Sequence, residues 1–165
     1  HFGGDSGVAQ EHLKDAQQIQ ATRSAFAAML ADGSVVTWGD PKAGGDSHAV
    51  QAQLENVQQI QVTHRAFAAI LGDGSVVTWG DPSCGGDSSA VQAQLKNVRQ
   101  LQATSNAFAA ILDGGSVVTW GGPPDRGGDS CAVQAQLKNV QQLQSTPFAF
   151  AAILDDGSVV TWGDP

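Results

Sequence analysis

Four tryptophans, Trp38, Trp79, Trp120 and Trp162, stand 41, 41 and 42 residues apart, and Phe26, Phe67, Phe108 and Phe150 keep the same spacing. A period of this length marks a tandem repeat whose unit cannot bury its own apolar faces and must stack on its neighbours. Radial stacking gives a β-propeller and linear stacking an open solenoid. The units are expected at about residues 1–41, 42–82, 83–124 and 125–165 of a single repeat domain. The one extra residue falls in a loop, where Gly122-Pro123-Pro124-Asp125-Arg126 replaces the shorter Asp81-Pro82-Ser83-Cys84.

Within a unit the pattern predicts strands. Val57-Gln58-Gln59-Ile60-Gln61-Val62-Thr63 alternates partly in polarity and carries β-branched residues, as a first strand would. Ala66-Phe67-Ala68-Ala69-Ile70-Leu71 is apolar on both faces, as a strand packed between two sheets would be. Asp73-Gly74 supplies a tight turn, and Ser75-Val76-Val77-Thr78-Trp79 follows as a third strand. The remainder, from Gly85 to Leu95, is open: Ser89 with Gln92 fits a capping box before a short helical turn, and a fourth edge strand fits as well. The expected class is all-β with one short helical turn per repeat at most, four blades of a β-propeller or an arc of a larger one.

The run from Val57 through Phe67-Ala68-Ala69-Ile70-Leu71, Asp73-Gly74-Ser75-Val76-Val77 and Trp79-Gly80 to Gly85-Gly86 resembles the repeats of the regulator of chromosome condensation (RCC1) family, and it recurs in all four units. The resemblance implies a propeller, usually of seven blades in that family. Its members include a guanine-nucleotide exchange factor, modules of giant ubiquitin ligases, a plant ultraviolet sensor and a bacterial β-lactamase inhibitor. A fold shared by such different proteins implies little about function. The units here also depart from the family: Thr63-His64-Arg65-Ala66 stands where a Gly and a His are usual, and Gly85-Gly86-Asp87-Ser88 replaces Gly-Gln-Leu-Gly. No exchange-factor residue transfers, and the four tryptophans, one per unit, read as packing between blades.

Charge narrows the partners. Eight Lys plus Arg against sixteen Asp plus Glu give a net charge of −8, which repels phosphate backbones, so nucleic acid is not expected. No apolar run approaches the roughly 20 residues of a membrane helix, and the first residues lack the features of a signal peptide. A soluble protein is expected, without direct membrane insertion, and nothing assigns a compartment. Two cysteines, Cys84 and Cys131, are too few for a disulfide framework or a zinc site; free thiols are expected, a single bridge being the other arrangement.

Catalysis is not expected, because His1, His12, His48 and His64 occupy mostly non-equivalent positions and no Ser, His and acid set recurs. No cofactor or metal is expected either. Asp40 with Asp46 and Asp81 with Asp87 flank glycine-rich turns, but the alternating pattern of a calcium loop is missing, so these side chains read as turn and helix caps.

Identity between the units makes their differences informative. The pair after the first strand changes in every copy, as Arg23-Ser24, His64-Arg65, Ser105-Asn106 and Pro147-Phe148. So does the pair before the double glycine, as Lys42-Ala43, Ser83-Cys84 and Asp125-Arg126, and a third place varies as Gly7, His48, Ser89 and Cys131. In an up-and-down blade the loops after the first and third strands emerge at one end, and loops on a rigid scaffold are where binding concentrates. The expected function is therefore a non-catalytic scaffold, alone or as a subunit of a larger assembly. It meets a protein partner through Arg23, Ser24, Lys42, His48, His64, Arg65, Ser105, Asn106, Arg126 and Phe148. Two other readings stand beside it, a module of a larger exchange factor or ubiquitin ligase and a hydrolase inhibitor anchored by Phe148.

Six steps separate Trp79 from Gly85, and six also lead from Trp162 through Pro165 into His1 and Gly3. This phase predicts that the first and last units are neighbours, within the chain or through missing blades, with the segment Gly3 to Leu13 completing the fourth sheet.

Overall fold

The computed structural model describes residues 5–7 and 9–164. The repeat resolves into twelve strands in four antiparallel sheets of three. The first sheet holds β1 (Ala16–Ala21), β2 (Ala25–Leu30) and β3 (Val35–Gly39), the second β4 (Val57–Val62), β5 (Ala66–Leu71) and β6 (Val76–Gly80). The third holds β7 (Val98–Ala103), β8 (Ala107–Leu112) and β9 (Val117–Gly121), the fourth β10 (Val140–Ser145), β11 (Ala149–Leu154) and β12 (Val159–Gly163). The three expected strands per unit are present, each within a residue of its expected start. These are four blades of a β-propeller. Their first strands lie innermost, β1 against β4, β4 against β7 and β7 against β10.

Local chemistry fixes each blade. Asp73 accepts the Ser75 N–H at 2.9 Å and its hydroxyl at 2.6 Å, which closes the turn between β5 and β6. A bulge follows the first residue of every first strand, at Ala16/Gln18, Val57/Gln59, Val98/Gln100 and Val140/Gln142. The extra residue shifts the period of two, so Val57 and Ile60 both turn to the core although they are three apart.

The uncertain remainder is neither a fourth strand nor an α-helix. It is a 3₁₀ turn, Gln92–Gln94 in the second unit, laid along the outer edge of the third strand. Side chains make the attachment. Ser88 Oγ donates to Gln92 Oε1 at 2.8 Å, and Gln92 Nε2 donates to the Val76 carbonyl at 2.9 Å. Ser88 also bonds Thr78 Oγ1 at 2.9 Å. The capping pair is thus Ser88 with Gln92 and not Ser89, whose N–H goes to Asp87.

Each blade presents two unlike faces. One, built from Ala25, Ala27, Met29 and Val35, packs on Val57, Ile60, Phe67, Ala69, Val77 and Trp79 of the next blade. The same contact repeats between the second and third blades and between the third and fourth. Phe67 and Trp79 pair across β5 and β6 with ring centroids 5.1 Å apart, and Gly44 of the preceding unit closes over them. Its carbonyl accepts the Trp79 Nε1–H at 3.1 Å. Packing between blades, the expected role of the tryptophans, is what Trp79, Trp120 and Trp162 do.

The stack does not close on itself. Val159 on the fourth blade is 60% exposed, whereas Val35, Val76 and Val117 at the same place are 1–2% exposed. On the first blade Ile19 is 55% exposed, against 1% for Ile60 and 0% for Leu101. The expected completion of the fourth sheet by the first segment of the chain is therefore not what the fold does: four blades curve too little to bring Val159 under cover. Gly3 and Gly4, which that expectation also used, lie outside the described residues. Cys84 is buried and Cys131 exposed, both as free thiols. No helix among the described residues is long and apolar enough to cross a membrane.

Candidate functional site

The turns after the four first strands converge on one concavity of about 450 Å³, lined in each unit by the last strand residue, a threonine and the variable residue after it. A ladder of backbone bonds holds these turns together across blades. The Arg23 N–H donates to the His64 carbonyl at 3.0 Å, that of His64 to Ser105 at 2.9 Å, and that of Ser105 to Pro147 at 2.8 Å. Proline has no N–H, so the series ends at Pro147. The loops after the third strands emerge at the same end. Asp40, Asp81 and Asp164 donate their N–H to the carbonyls of Ser24, Arg65 and Phe148. The geometry thus brings the first two variable places together.

Two of the eight Lys and Arg residues, Arg23 and Arg126, come together here around His64. Arg23 Nη2 lies 3.3 Å from His64 Nε2. A guanidinium can only donate, so Nε2 accepts and the imidazole is neutral with its proton on Nδ1. Burial holds the His64 pKa below its ordinary value, and the charges of Arg23 and Arg126 push it the same way. Arg126 itself lies over the Phe148 ring, 4.4 Å from its centroid, a cation–π contact between the third loop and the fourth blade. Phe148 is thereby covered on one face, yet remains 40% exposed. Arg23, His64, Arg126 and Phe148 form one cationic and aromatic cluster at the mouth.

Farther out, Arg65 reaches Asp81 at 2.8 Å, and Lys42 borders the same small hollow. The Asp81 pKa is lowered from its ordinary value, chiefly because the Ser83 hydroxyl donates to it, with Arg65 a smaller cause. Ser24 and Asn106 are half-buried, and Asn106 Nδ2 lies 3.3 Å from the Cys84 sulfur. Ser105 is buried and takes part through its backbone. His48 stands apart, fully exposed on the outer rim, because Ser47 beside it is tied to Thr37 in the middle of β3.

The acidic loops are caps. Asp40 accepts the N–H of Lys42, Asp81 that of Ser83, Asp46 that of His48 and Asp87 that of Ser89. No group of three His, Cys, Asp or Glu side chains able to hold a metal ion occurs among the described residues. Sequence reasoning passed over the recurring Thr22, Thr63, Thr104 and Thr146. Thr63 Oγ1 accepts the Ala66 N–H at 3.1 Å and donates to the Cys84 carbonyl at 2.9 Å, so it ties the inner turn to the outer loop. Its signal was present: invariance immediately before the most variable pair.

No protein-family model matches the sequence, and no curated protein does. Solved structures do. Yeast RCC1, Prp20, solved with Kap60, is 18% identical with a TM-score of 0.66 over 93% of this chain and 44% of its own. Human WBSCR16 is 18% identical with a TM-score of 0.59 over 90% of this chain and 47% of its own. Prp20p from Saccharomyces cerevisiae, from a study of its binding to Gsp1p and histones, is 19% identical with a TM-score of 0.64, over 88% and 44%. The likeness shows an RCC1-like β-propeller fold, and this chain spans less than half the length of each of these relatives.

Proposed function

We propose that this protein is a non-catalytic scaffold that binds an acidic segment of a protein partner on its loop end. The observation that carries the reading is the cluster of Arg23, His64, Arg126 and Phe148 at the mouth of the concavity, on a chain whose net charge is −8. An aromatic ring under one guanidinium group, with a second guanidinium against the nearby imidazole, is the composition of an interface centre, and the surrounding negative field disfavours nucleic acid. Structures of the same fold are described with a protein, Kap60, and in connection with Gsp1p and histones, which supports the use of such a propeller as a protein-binding surface. The share of those chains that this one spans favours a second reading, a module within a larger regulator whose chemistry lies elsewhere.

The test is affinity capture from native material with three baits: the wild type, Arg23→Ala/Arg126→Ala, and Gly114→Ala at the opposite end. A protein retained by the first and third baits and lost by the second is the expected result. Equal capture by all three would refute a loop-end site.

A further inference from the structure

The two uncovered faces of the stack are the two halves of a contact the molecule already makes three times. The fourth blade exposes Ile153 and Val159 and leaves Ala149 and Ala151 partly open. In the second and third blades the same four positions, with the same four residue types, are buried under the next blade. The first blade in turn exposes Ile19, with Phe26, Val36 and Trp38 half-covered, where the second blade buries Ile60, Phe67, Val77 and Trp79. We propose that the first blade of one copy docks on the fourth blade of a second copy, so that two chains associate head to tail through a fourth and fifth edition of the interblade contact.

The pairing is specific in register as well as in hydrophobicity. At each internal junction the first residue of a first strand donates its N–H to the turn glycine of the blade before it: Val57 to Gly33, Val98 to Gly74 and Val140 to Gly115, all at 2.8–2.9 Å. Ala16 and Gly157 occupy these places on the two free faces. Among the described strand and turn residues of the two faces, two features depart from the internal pattern. Ala16 replaces a valine, and Pro147 lacks the N–H that would extend the inner ladder to Arg23 of the second copy. A contact between unlike faces is heterologous and generates a ring when its rotation closes. Four blades correspond to less than half of the yeast RCC1 and human WBSCR16 chains, so a ring of that kind needs about as many blades again, which one further copy supplies.

The experiment is the mass of the 165-residue chain in solution, by light scattering over a dilution series, with Ile19→Glu and Val159→Lys beside the wild type. Both side chains are exposed in the single chain, so neither change disturbs its core. Unchanged circular dichroism verifies this. The wild type is expected at twice the 17.0 kDa of one chain, and each variant at 17.0 kDa. An equimolar mixture of the two regains the double mass, because it pairs one pair of intact faces and sets Glu against Lys at the other. A wild type that stays monomeric at its highest soluble concentration overturns the proposal and leaves these faces to blades of another protein or of a longer polypeptide. A double mass that both variants retain overturns it equally.

Discussion

Replacing Gly85 with alanine tests the lock between blades at its tightest point. Gly85 holds φ at +90°, and a Cβ there would stand 2.6 Å from Cδ2 and 2.9 Å from Cε2 of Phe108. Phe108 has nowhere to retreat, being 0% exposed and stacked on Trp120 at 5.4 Å. The left-handed backbone alone costs an L-residue about 1–2 kcal/mol, and overpacking a filled core adds about 1–3 kcal/mol. Displacing the Gly85 carbonyl also weakens its 3.1 Å bond from Trp120 Nε1. The expected loss is about 3 kcal/mol. With an m-value of about 2 kcal/mol per molar urea, the midpoint falls by about 1.5 M. The control is Gly114→Ala, where an added Cβ meets nothing within 4 Å and φ is outside the left-handed region. That change should be neutral or stabilising by up to about 1 kcal/mol, through the unfolded chain. Equal midpoints for the two variants would refute the claim that the double glycine is there to admit the Phe and Trp of the next blade.

Phe67→Ala, which empties a fully buried ring site, is expected to cost about 3–5 kcal/mol by urea unfolding, and Ser105→Ala under about 0.5 kcal/mol, since Ser105 joins the ladder by its backbone alone. The His64 imidazole should titrate by NMR below its ordinary 6.5, and Arg23→Ala should raise the midpoint; an unmoved midpoint would remove Arg23 from its surroundings. The unfolded chain then binds that proton more readily than the folded one, so His64 makes stability fall as pH drops below about 6.5. Asp81 has the carboxylate sign. Its depressed pKa adds stability present above 3.8 and lost as pH falls further, and Ser83→Ala, which removes the leading cause, should flatten acid unfolding in that range.

The core was legible because its signals are local and repeated. Four copies of Ala-Phe-Ala-Ala before an aliphatic pair, a short turn and Val-Val-Thr-Trp leave little choice of strand or face. Ser89 was taken for the capping residue in place of Ser88, whose bonds run to Gln92 and to Thr78 on β6; this second bond and the one from Gln92 to the Val76 carbonyl hold the segment against β6. The first strand alternated only in part for a reason invisible in one dimension: the bulge after Val57 adds a residue to one side of the ladder. Among the site residues, variability placed Arg23, His64 and Arg126 on one end but could not separate His48, since four residues past the glycine at 44 the chain has already turned down the outer edge. Curvature was the least legible property. Whether four blades close depends on the angle added per blade, to which every interblade contact contributes a little and no single residue a signal.

The distribution of variable and invariant positions follows from which atoms each contact uses. Between blades the contacts are made by side chains: the Phe and Trp rings, the alanines opposite them, and the space over Gly44, Gly85 and Gly127. Any change of volume there is felt at once. At the inner mouth the cohesion between neighbouring turns is carried by N–H and C=O groups, which every residue but proline possesses. Arg, His and Ser therefore succeed one another without loss of the ladder, and the single proline among these residues, Pro147, accepts from Ser105 and needs no N–H to do so. The threonines three residues before the starts of the second strands fix the path of the turn from below, so its tip keeps its position whichever side chain it carries. A rim with a fixed backbone and unconstrained side chains lets charge be placed at will, and Arg23 and Arg126 put positive charge beside the neutral His64 on a chain of net charge −8.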